Sequence, residues 1–140
     1  MAAFNKFNDF AEQIGLGVHN LDTGVLKIYL SNVAPVATNT VKADIAEITN
    51  QFGYTAPIDI TGVWSESPAG TGKLVAGNDP VVITASGGTI GPFRYVILYN
   101  DTPTSPADPL IGWWDYLSAV TLQDGETFTV DFGASVLTIT

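Results

Sequence analysis

Two stretches, FRYVILYN at 93–100 and LIGWWDY at 110–116, carry large apolar side chains at nearly every position. A strand with one face in water alternates apolar and polar residues. A strand that is apolar on both faces has to be covered from two sides. The chain is therefore expected to place these two segments as central strands of a layered β body.

The flanking segments fit that frame. VLKIYL at 25–30 alternates Leu26, Ile28 and Leu30 against Val25, Lys27 and Tyr29, and TFTVDF at 127–132 also alternates. Both read as outer strands with one polar face. IDITGVW (58–64), KLVAG (73–77), VVITA (81–85) and SVLTIT (135–140) read as further short strands. Turns are expected at SESPAGTG, NDP and SGGTIGP, and a hairpin turn at Asp124-Gly125. VKADIAEIT at 41–49 predicts a short helix capped by Thr40. At the N-terminus, Phe4, Phe7, Phe10, Ala11 and Ile14 recur at three- and four-residue spacing before Gly15 and Gly17. The expected organisation is an amphipathic segment over 1–18, helix or arm, followed by a β-rich domain over 19–140. The fold class is mainly β: a single-domain antiparallel β-sandwich or small barrel with one or two short helices. Tyr95, Ile97, Leu110, Phe128, Val130 and at least one of Trp113 and Trp114 are expected inside.

Charged residues make up only 14% of the 140 positions and apolar ones 46%, where a soluble domain has roughly a quarter charged. Such a chain covers its surface with neutral polar groups or with partner subunits. The net charge of −9 repels phosphate, so neither nucleic acid nor an anionic membrane surface is an expected partner. With no cysteine, disulfides and thiolate metal sites are absent. MAAFNKFNDFAEQIG lacks the apolar core of a signal peptide, and no apolar run reaches membrane-spanning length. A soluble protein made in the cytoplasm is expected.

Motifs that could carry chemistry are few. AGTGK at 69–73 imitates a phosphate loop, but Ser67 stands where the first glycine belongs and Leu74 where a hydroxyl must hold magnesium. It reads as a turn. His19 is the single histidine; alone it supplies neither a nucleophile's base with its orienting partner nor a zinc site. Asp115 stands beside Trp113, Trp114 and Tyr116, an acid among aromatics of the kind sugar sites use. Asp79, Asp101 and Asp108 are conceivable calcium ligands without the spacing of a calcium loop. The NDT sequon at 100–102 matters only in a secreted chain. No catalytic residue, cofactor or metal is expected, and the chain reads as a non-enzyme.

One resemblance goes further. In order along the chain, HNLDTGVLKIYLSN, TVKADIAEITNQFGYTA, GPFRYVILYNDT, PLIGWWDY and LQDGETFTVDF resemble the motifs of a family of small virion structural proteins of tailed bacteriophages. The similarity runs in register from His19 onward. APIDITG and WDYLSA depart from the AGG and WDYGSS usual there, which affects local turns. The resemblance implies a virion protein without catalytic residues, most simply a capsid decoration or cement protein of the head. Alternatives are a tail, neck or fibre component and, from another class, a carbohydrate-binding module on Trp113, Trp114 and Tyr116. Its implied partners are the major capsid protein or other virion proteins, and further copies of itself in a homo-oligomer. Phe4, Phe7, Phe10 and Ile14 are the candidate subunit or capsid contacts.

Overall fold

A computed structural model of the chain describes residues 2–140. It is mainly β and antiparallel, consistent with a small β-sandwich and not a closed barrel. The strands are β1 (Asn5–Lys6), β2 (Leu26–Ser31), β3 (Ile58–Asp59), β4 (Gly62–Glu66), β5 (Gly72–Ala76), β6 (Val81–Thr84), β7 (Ile90–Asn100), β8 (Leu110–Leu122), β9 (Thr127–Val130) and β10 (Leu137–Ile139). One helix, α1 (Asn8–Gly15), precedes β2.

The main sheet has the order β1-β8-β7-β2-β3, so the two doubly apolar segments do lie in its middle. Alternation along β7 sends Val96 and Leu98 to one face and Tyr95, Ile97 and Tyr99 to the other. Against the first face pack two smaller sheets, β10-β5-β4 and β6-β9, through Leu74, Ile83, Val130 and Leu137. The second face, to which β8 adds Leu110, is covered by Phe7 and Ile45. Tyr95, Ile97, Leu110, Trp114 and Val130 are buried as expected; Phe128 and Trp113 are half-buried.

Several elements differ from the sequence reading. VLKIYL is no outer strand: β2 lies between β7 and β3, and Tyr29, assigned to the polar face, is fully buried. Its hydroxyl donates to the carbonyl of Ile45 at 3.0 Å, which makes its burial tolerable. The expected helix over 41–49 is a single 3-10 turn, Lys42–Asp44. The Asp44 carboxylate accepts the amides of Thr40 (2.9 Å) and Val41 (3.2 Å), closing the turn tightly. Beyond it the backbone is extended because the main sheet claims its polar groups. Ser31 donates its hydroxyl to Ala46 O at 2.6 Å, and the amide of Ile48 donates to Leu30 O at 3.1 Å.

IDITGVW is broken at Thr61, whose φ of 51° ends β3 and sends β4 into a different sheet. The turn at Asp124-Gly125 forms, but β9 pairs with β6 and not with β8. The connection therefore passes from one layer to the other. Finally, α1 starts only at Asn8, and the residues before it are extended.

Candidate interaction surface

In an extended chain, residues three apart point to opposite faces, and Phe4 and Phe7 do so. β1 pairs with β8 through Asn5↔Trp113 and Lys6↔Gly112. Phe4 meets the Trp114 ring with centroids 5.3 Å apart, and Phe7 meets Trp113 on the other face at 4.5 Å. Gly112 leaves the space the Phe4 ring occupies; a Cβ there would collide with it. Phe7 is fully enclosed, and Phe10, on α1, joins the core on the side of the smaller sheets. The four candidate contacts therefore divide. Phe7 and Phe10 have no surface left for a neighbour, because the chain's own body covers them. Phe4 and Ile14 are half-buried and retain some. Of the segment expected over 1–18, the described residues are likewise tied to the body: Phe7 donates its amide to Ile111 O and Asn8 donates to Ala37 O.

The aromatic trio divides as well. Trp113 and Trp114 occupy opposite faces of β8, so the three rings form no single platform. Trp114 and Tyr116 share a face and, with Val96, Phe128, Thr129, Val130, Asp131 and Ala2, line a groove of about 380 Å³. The Tyr116 ring stands edge-on to Phe128 at 5.3 Å. Asp115 faces Arg94: Nε and Nη2 of the guanidinium donate to its two oxygens at 2.8 and 3.1 Å. This fork holds the Asp115 carboxyl below the usual carboxylate range. An acid committed in this way is poorly suited to proton transfer.

His19 is buried between α1 and the main sheet. Its Nδ1 lies 3.3 Å from Asn100 Nδ2 and its ring is edge-on to Phe10. Since the amide is a donor, Nδ1 accepts and Nε2 carries the proton, and Nε2 has no hydrogen-bond partner among the described residues. Burial lowers its pKa to about 4, against a smaller opposite pull from Asp9. His19 also lines a second, shallower groove with Ile14, Leu21, Asp22, Trp64 and Ile139. There the Trp64 ring lies over Gly72, where any Cβ would strike it. The sequence reading missed this placement. A tryptophan and a glycine eight residues apart carry no local signal, and only the β4–β5 register brings them together.

Of the acids considered for calcium, Asp108 lies beside Asp101, and burial together with that neighbour holds its carboxyl above the usual carboxylate range, while Asp79 stands apart. Asp101 pairs with Lys27 at 2.9 Å, while Asp79 accepts the amide of Phe132 at 2.8 Å. Among the described residues no three potential metal ligands converge, and no helix is long and apolar enough to cross a membrane. AGTGK forms the β4–β5 turn: Thr71 donates its amide to Pro68 O, and Gly70, at φ +83°, donates to the Glu66 carboxylate. No protein family, curated protein or solved structure matches this chain.

Proposed function

We propose that the chain is a non-enzymatic structural component of a tailed-phage virion, and specifically a capsid decoration or cement protein that stabilises the head. The observation that carries the reading is the coincidence of GPFRYVILYNDT and PLIGWWDY, central to the resemblance, with β7 and β8, central to the body. Residues of that kind specify a rigid scaffold. The polar groups that invited chemical readings hold the scaffold together instead: Asp115 clamps Arg94, and His19 is anchored to Asn100.

A cement protein acts by repetition. Many modest contacts, each made by one copy, add up to resistance against internal pressure. A sheet covered on both faces, in a chain with few charged residues, suits that role. Immunogold labelling of purified particles tests it. Label over the head supports decoration; label confined to tail, neck or fibre supports the alternative placement; particles without the protein end the virion reading.

A further inference from the structure

We infer that His19 is an acid-operated latch, whose protonation frees helix α1 from the body while the sheets stay folded. The bonding around the ring admits neutral imidazole alone. Asn100 Oδ1 accepts the amide of Thr102 at 3.1 Å, so the Asn100 side chain turns its Nδ2, a donor, toward His19. Flipping that side chain would strand the Thr102 amide. The backbone of Gly24 also packs against it: a Cβ at Gly24 would lie 3.0 Å from both Asn100 Nδ2 and Oδ1. A second ring proton, on Nδ1, would therefore point at another donor. Nε2–H has no acceptor among the described residues either. An imidazolium held here has two donors and nothing to receive them, a cost that leaving the site removes.

The acids facing His19 are Asp9 on α1 and Asp22, which shares its groove; the attraction of Asp9 is smaller than the cost of burial. Asn100 on β7, and Trp64 and Ile139 from the smaller sheet, bring no charge to the ring. The only counter-charges thus lie on α1 and on the turn that follows it, the part of the chain that moves.

That part is held loosely enough to move by itself. Of the α1 side chains only Phe10 and Gln13 are buried, and both residues meet His19. Phe10 stands edge-on to its ring at 5.1 Å, and the Gln13 carbonyl accepts the amides of Val18 (2.9 Å) and His19 (3.4 Å). Gly15, Leu16 and Gly17, between helix and latch, are exposed, and nothing lies within 4 Å of where a Cβ on either glycine would stand. A segment with so few attachments opens before the sheets do, and its opening uncovers Phe10.

Native-state hydrogen exchange of the full chain tests the latch, read at the amides of Leu16, Val18 and His19, whose acceptors lie in α1. After correction for intrinsic exchange, these amides are expected to exchange through an opening that costs less than the one releasing β7 and β8. From pH 7 to pH 5 its equilibrium constant should rise about twentyfold, as a folded pKa of about 4 and an unfolded one of 6.5 require. Asn100→Asp still accepts the Thr102 amide but offers His19 an acceptor in place of a donor, so acid should no longer open α1. His19→Gln, uncharged at every pH, should be equally indifferent to acid, and it carries the comparison alone should Asn100→Asp fail to fold. Exchange of α1 and the central strands through one common opening overturns the inference. So does a wild-type opening that ignores pH, or one that acid promotes as strongly in either folded variant as in the wild type.

Discussion

Two buried side chains show how single polar groups hold this body together. Tyr54 is fully buried, and its hydroxyl accepts the amide of Leu30 at 2.8 Å while donating to Glu47 at 3.3 Å. Tyr54→Phe strands the Leu30 amide without an acceptor and is expected to cost about 1–3 kcal/mol in denaturant unfolding. His19 gives a pH signature. Its folded pKa of about 4 lies below the unfolded value of 6.5, so between those limits only the unfolded state binds the proton. The contribution is fully present above pH 6.5 and declines as pH falls toward 4. From pH 7 to pH 5 the wild type should lose roughly 2 kcal/mol more stability than His19→Gln, measured by urea titration at both pH values. Equal losses would show that His19 does not titrate across this range. Neither the bond between Tyr54 and Leu30 nor the His19–Asn100 pairing was legible in the sequence, because the partners lie far along the chain.

Elements were legible where local pattern and tertiary demand agree. β7 and β8 are apolar on both faces and had to be central. The helix expected over 41–49 failed because its apolar spacing serves separate purposes: Ile45 fills the second face of the sheet while Ile48 bonds to Leu30. The Asp124-Gly125 turn was readable from its own chemistry, but no turn states which strand its exit will join. At the N-terminus, three-residue spacing fits a helix period, yet Phe4 and Phe7 use it in extended chain to clasp both tryptophans of β8. The N-terminal segment therefore belongs to the core. Phe7→Ala is expected to cost about 3–5 kcal/mol. Deleting residues 2–14 should abolish the near-ultraviolet circular dichroism of the tryptophans; a deletion variant with native spectrum and melting point would contradict this packing.

At the scale of the whole molecule, one sheet is enclosed on both sides, by two small sheets on one face and by the N-terminal segment and the 32–56 loop on the other. The groove beside Tyr116 draws on the N-terminus, β7, β8 and β9, which is why no contiguous stretch of sequence announces it. An enclosed body that leaves Leu16 and Leu117 largely exposed offers apolar side chains to neighbours, and the proposed role is to make such contacts many times over on a phage head. The copy number in purified virions tests this most directly. Quantitative mass spectrometry should find the chain in numbers comparable to the major capsid protein, as a protein that covers the shell must be. A count that is a small fraction of the capsid protein, as in a tail or neck, would contradict the decoration role.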